Sequence, residues 1–129
     1  MKTILCPLDF SAASAGLVAY AASLAVGTGA ELHLLYVQEP AAPAAGEDDA
    51  TAALDRHRAA AEAAGARCVS TDLAHGEAAS TIVAEAQRQH ADLIVIGAHG
   101  RTGLSRFLMG NTAEFVVRTA TCPTLLVRE

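Results

Sequence analysis

Asp92 to Thr119 reads DLIVIGAHGRTGLSRFLMGNTAEFVVRT, and the reading of this stretch decides the fold. Leu93-Ile94-Val95-Ile96 is a short apolar run, long enough for a buried strand and too short for a helix. It stops at Gly97, and glycine recurs at Gly100, Gly103 and Gly110. Asn111 with Glu114 three residues later forms a helix-start signature, in which each side chain satisfies the other residue's free backbone N–H. The stretch therefore reads as strand, glycine-rich loop and helix N-terminus. Glycines let a ligand approach the backbone closely. Free N–H groups and the positive end of the helix dipole favour an anion, phosphate above all.

Working outward, the rest of the chain alternates strands with helices. Thr3 to Leu8 is an apolar strand running into Asp9-Phe10-Ser11, where Asp9 or Ser11 is expected to cap the next helix. Leu17, Val18, Ala21, Leu24 and Ala25 give that helix its apolar stripe, and Gly27 and Gly29 end it. Glu31 to Val37 is a second strand, its imperfect alternation fitting a strand covered on both faces, with His33 a core or edge histidine. Gln38 to Ala50, with Pro40, Pro43, Gly46 and the acids Glu47-Asp48-Asp49, reads as a loop. A helix over about 49–64, a third strand over 67–74, a helix over 77–90 and a fifth strand over 124–127 complete the pattern. Such alternation implies a parallel sheet with right-handed crossovers. Ligands of these sheets bind beyond the carboxyl ends of the strands, where the winding reverses.

The glycine loop is not a P-loop, since no Gly-Lys-Ser/Thr ends it, and Gly97-Ala98-His99-Gly100 does not fit the dinucleotide fingerprint. It resembles the nucleotide-binding signature of the universal stress protein family: glycine, two residues, glycine, nine residues, glycine, then a small hydroxyl residue. Gly97, Gly100 and Gly110 stand on its three glycine positions, and His99-Gly100-Arg101-Thr102-Gly103 reads like the family's loop. Asn111 departs from the usual Ser or Thr, and Thr112 supplies a hydroxyl one residue late. Pro7, Asp9, Phe10 and Ser11 match the family's Pro-x-Asp-Phe-Ser-like segment. A lone glycine pair would more often serve only a tight turn, and Asp9 alone a helix cap. The two motifs together favour a ligand.

The resemblance covers Lys2 to Val127 and implies one domain over residues 1–129. It implies an α/β fold: a five-stranded parallel sheet of order 3-2-1-4-5 with helices on both faces, Rossmann-like and similar to adenine nucleotide alpha hydrolases. It implies binding of ATP or another adenine nucleotide, with Mg²⁺ held only through the phosphates. Pro7, Leu8, Asp9 and Val37 would hold the adenosine. Gly97, Gly100, Gly103, Gly110, Asn111 and Thr112 would hold the phosphates, with Arg101 adding charge. His99 either reaches the phosphates or bonds its own loop. A homodimer is expected through the fifth strand, where Leu125, Leu126 and Val127 form an apolar edge. An unidentified protein client is a further partner of this reading.

Composition narrows the classes. The formal charge of −5 opposes non-specific nucleic-acid binding, which needs many phosphate-neutralising cations. Beyond Gly97, however, Arg101, Arg106 and Arg118 accompany a single acid, Glu114, in the organising stretch. Apolar residues make up 52 %, much of it alanine, which suits helices packed closely on a sheet. No apolar run reaches the ~20 residues of a membrane span, and no signal peptide is recognisable after Met1, so a cytoplasmic protein is expected. The 3 cysteines lack metal-type spacing, and Cys6 and Cys68, inside apolar runs, are expected to pack as small hydrophobes. No paired carboxylates, Walker-type acid or metal set accompanies the loop, so an enzyme is not expected, slow ATP hydrolysis aside. Ser-Gly-Gly-x-Asp-Ser, the mark of the adenylating pyrophosphatases, is absent after the first strand. The reading is a nucleotide-dependent signalling or protective dimer of the stress response. A dimeric interaction module without nucleotide stands as the alternative, and a flavodoxin-like protein is disfavoured by the scarcity of aromatics.

Overall fold

A computed structural model describes residues 1–39, 47–98 and 106–128, with the side chains of residues 47 and 106–111 outside the description. The elements alternate: β1 (Thr3–Leu8), α1 (Ser14–Thr28), β2 (Glu31–Gln38), α2 (Glu47–Ala63), β3 (Val69–His75), α3 (Ala78–Arg88), β4 (Leu93–Gly97), α4 (Arg106–Thr119) and β5 (Thr124–Val127). All described strand pairs are parallel, and the sheet order is β3-β2-β1-β4-β5. This is the expected order. No helix among the described residues is long and apolar enough to cross a membrane.

The two faces of the sheet carry separate cores. Ile4, Cys6, Leu32 and Leu34 meet α1 and α2 on one face, through Leu17, Val18, Ala21, Leu54 and Ala61. Leu5, Leu35, Ile94 and Ile96 meet α3 and α4 on the other, through Ile82, Val83, Ala113 and Val116. Alternate residues of the central strands thus enter opposite cores, which is why β1 is buried along its whole length. Asp92 ties the lower end of β1 to β4: its Oδ2 accepts the Lys2 N–H at 2.7 Å and the Thr3 N–H at 2.9 Å. At the far end of α1, Gly29 takes φ 74° and donates its N–H to the Ala25 carbonyl, the left-handed closure expected of glycine there.

Pro7 shapes the upper end of the sheet. The Lys2 carbonyl accepts from β2 (Glu31 N–H) and the Thr3 carbonyl from the β4 side (Asp92 N–H), so by strand alternation the Pro7 nitrogen faces β4. Proline has no N–H to give there. The β1–β4 ladder runs through Ile4↔Leu93 and Leu5↔Ile94 and does not reach Pro7. The ladder's hydrogen bonds stop short of the strand ends, where the winding reverses.

Three local expectations are corrected. The cap of α1 is Ala13, with no side-chain hydrogen bond, so neither Asp9 nor Ser11 caps it. A turn closed by the Ser14 N–H on the Ser11 carbonyl (3.0 Å) intervenes and keeps the Asp9 carboxylate inside the loop. α4 begins at Arg106 rather than after Asn111. Arg106, Leu108 and Met109 are good helix formers and carry the helix upstream through Gly110 despite its propensity penalty of about 1 kcal/mol. Cys68 is exposed, because β3 starts one residue later and is an edge strand whose burial alternates. Cys6 is buried, and burial pushes its thiol up to about 12. His33 is half-buried and shares a 2.9 Å hydrogen bond with the Ser70 hydroxyl, a structural histidine as expected.

Candidate functional site

A cavity of about 490 Å³ opens beyond the carboxyl ends of β1, β4 and β5. Pro7 and Asp9 line it from β1, Gly97 and Ala98 from β4, and Val127 and Arg128 from β5. Its remaining wall is the turn into α1 and the helix's first two turns, from Ser11 to Tyr20. Ser11 to Gly16 reads SAASAG, and these small side chains leave the space open.

Asp9 is the polar centre of the wall. Its Oδ1 accepts the Ser11 N–H at 2.9 Å and the Ser14 hydroxyl at 3.3 Å. Its Oδ2 is buried and has no hydrogen-bond partner among the described residues. An unpaired buried carboxylate oxygen costs about 1–3 kcal/mol or more, so the position calls for a donor. Phe10, next in the chain, holds a left-handed φ of 59°, unusual for a bulky residue. Its ring stacks on Tyr36 of β2 with centroids 4.3 Å apart and lies 6.1 Å from the parallel ring of His57 on α2. Burial, aided by the charge of Arg56, lowers the pKa of His57, which favours its neutral form. The stack anchors the turn that presents Asp9.

The expected site residues fall into three groups. Pro7, Asp9 and Gly97 meet in the cavity wall. Leu8 ends β1 and Val37 is the next-to-last residue of β2, but Leu8 is buried in the α1–α2 core and Val37 in the α3–α4 core, outside that wall. His99, Gly100, Arg101 and Gly103 lie outside the described residues. Gly110, Asn111 and Thr112 are the fifth to seventh residues of α4, counted from Arg106. Only the N–H groups of the cap and the first three helical residues lack an internal partner, so among the described residues the amides without one are those of residues 106–108.

Residues not singled out from sequence also line the cavity, Ser14, Tyr20 and Arg128, and so does Val127, named from sequence only for the dimer edge. The small-residue run after Asp9 was the available signal for the α1 wall. Arg128 carried none, since only the β4–β5 register brings it here: Gly97 pairs with Val127, and the Ala98 N–H donates to the Val127 carbonyl at 3.0 Å. Among the described residues, no group of three His, Cys, Asp or Glu side chains is placed to hold a metal.

This architecture and this chain match known proteins throughout their length. The universal stress protein family model matches residues 1–128. A universal stress protein of Methanocaldococcus jannaschii is 33% identical over 141 residues, covering 99% of this chain and 82% of that protein. The solved structure of a universal stress protein from Lactobacillus plantarum superposes with a TM-score of 0.84 at 28% identity, covering 98% of this chain and 97% of the other. Another universal stress protein, solved in complex with cAMP, shares the fold with a TM-score of 0.82 at 24% identity over 98% of this chain and 96% of its own. The chain belongs to the universal stress protein family.

Proposed function

We propose that this chain binds an adenine nucleotide, ATP in the first place, across the carboxyl ends of β1 and β4. The observation that carries the reading is Asp9, whose buried Oδ2 has no partner among the described residues, in the wall of a cavity at the winding reversal. A ribose hydroxyl is a neutral donor of the right kind to satisfy it. The relative in complex with cAMP supports the choice of an adenine nucleotide. Pro7, Leu8, Asp9 and Val37 hold the adenosine, with Leu8 and Val37 contributing backbone at the strand ends, since their side chains are buried. The loop from Gly97 through His99, Gly100, Arg101 and Gly103 holds the phosphates. Gly110, Asn111 and Thr112 join them from α4. With the helix starting at Arg106, their part falls to the bare glycine Cα and to side chains, while the first-turn amides of α4 supply the free N–H groups. Mg²⁺ rides on the phosphates.

In this reading residues 1–129 act as one domain, in the cytoplasm, as a nucleotide-dependent regulator rather than an enzyme. The homodimer forms through β5, a sheet edge whose Leu126 is 47% exposed. Antiparallel pairing of two such edges gives a closed two-fold interface. Its client is a protein yet to be identified.

Mass spectrometry of the small molecule that co-purifies, followed by calorimetric titration with ATP and Mg²⁺, tests the nucleotide. Binding of ATP is the expected result. Absence of any adenine nucleotide in both measurements refutes it and leaves a dimeric interaction module.

A further inference from the structure

We propose that Arg128 is a phosphate-contacting residue of this site, reaching the ligand from the β5 flank. The inference rests on the nucleotide reading above and adds to it a residue and an orientation. Arg128 follows directly after β5 and shares the cavity wall with Asp9 and Gly97. Gly97 is paired with Val127, and the Ala98 N–H is bonded to the Val127 carbonyl, so the root of the glycine loop and the root of Arg128 are held by the same rungs.

Charge then decides which way a nucleotide lies. Among the described residues of the wall there is one carboxylate, Asp9, and one guanidinium, Arg128. They stand on opposite flanks, since β4 lies between β1 and β5 in the sheet. A carboxylate repels phosphate and accepts from hydroxyl groups, whereas a guanidinium fork matches phosphate oxygens in pairs. The ribose therefore belongs at the Asp9 flank, and the phosphates extend over Gly97 toward Arg128. Arg128 supplies a full charge from the end of a separate strand.

The test is calorimetry of adenosine, AMP and ATP with the unmodified protein, Arg128→Gln and Arg128→Lys, at low and high ionic strength. Arg128→Gln is expected to weaken ATP about tenfold at low ionic strength while adenosine stays within about twofold. Arg128→Lys is expected to recover much of the loss, and the ATP gap to narrow as salt rises. A glutamine variant that binds ATP as the unmodified protein does overturns the inference and leaves the nucleotide site standing. Equal weakening of adenosine and ATP also overturns it, by showing that the side chain only shapes the wall. If the unmodified protein binds none of the three, while the glutamine variant melts at the same temperature, the nucleotide reading itself fails.

Discussion

Replacing Asp9 by asparagine separates the part of the carboxylate in the turn from its part in holding a ligand. Asparagine keeps an Oδ1 able to accept the Ser11 N–H (2.9 Å) and the Ser14 hydroxyl (3.3 Å). It replaces the unpartnered Oδ2 with an amide that donates instead of accepting. Without ligand, one unpaired polar group replaces another, and the retained bonds lose only their charge assistance. The expected destabilisation is about 1 kcal/mol. At ~2.1 cal/mol/K of unfolding entropy per residue, the 129 residues convert this into a fall of about 4 °C in melting temperature.

With ligand the two proteins diverge. ATP at a hundredfold excess over its dissociation constant stabilises the unmodified protein by ~2.7 kcal/mol, a rise of about 10 °C. Losing a charge-assisted hydrogen bond of ~1.5–3 kcal/mol weakens binding about ten- to a hundredfold. The same ATP concentration then stabilises Asp9→Asn by only ~0.4–1.4 kcal/mol, or about 2–5 °C. Thermal melting of both proteins, with and without ATP and Mg²⁺, reads all four states. An ATP shift as large in the variant as in the unmodified protein would refute the role given to Oδ2. A ligand-free fall beyond about 10 °C would instead make the carboxylate a structural tie.

Light scattering should give about twice the 13.2 kDa chain mass for the unmodified protein. Leu126→Arg should give one, because it sets a charge on the exposed side chain of the edge strand; a monomeric unmodified protein would contradict the dimer. The N–H of Lys2 and then that of Thr3 hold the Asp92 carboxyl below its ordinary value of 3.8. A carboxyl depressed in the folded state contributes stability that is fully present above its unfolded value and is lost as pH falls through the folded one. Urea unfolding of Asp92→Asn should therefore fall less steeply than that of the unmodified protein below about pH 4; equal slopes would show that these bonds carry no pH dependence.

The sheet was legible because each strand announces itself locally. β1 and β5 run over the residues expected, and the remaining elements shift by one or two positions at their ends, apart from the starts of α1 and α4. Apolar runs between glycines and prolines are a short-range signal, and α/β alternation restricts how they pair. The strand order was another matter, since alternation alone permits several and only the family resemblance selected one. Ends governed by competition were misread. Asn111 with Glu114 has the form of a helix start, yet the residues before it favour helix strongly enough to run through Gly110. Asp9 has the form of a cap, but a tight turn uses its Oδ1 within the loop. Both are cases where two locally acceptable structures compete, and the longer-range packing chooses.

The site was legible in its chemistry more than in its shape. Asp9 and Gly97 were named from motif spacing, and they do share one wall. What spacing could not reveal is how that wall is held, because the partners come from other elements. Phe10 sits at φ 59°, a conformation that costs an L-residue roughly 1–2 kcal/mol. Stacking on Tyr36 returns roughly 0.5–1.5 kcal/mol beyond the burial of the rings. The strained turn is thus supported by β2 and α2 in the ligand-free protein. In the proposed reading, a nucleotide entering this cavity meets Asp9 already oriented through its engaged Oδ1. Its binding energy is then not consumed in ordering the turn. Pro7 stands two residues before Asp9 and withholds an N–H from the β4 side, and the β1–β4 ladder ends before it, at Leu5↔Ile94.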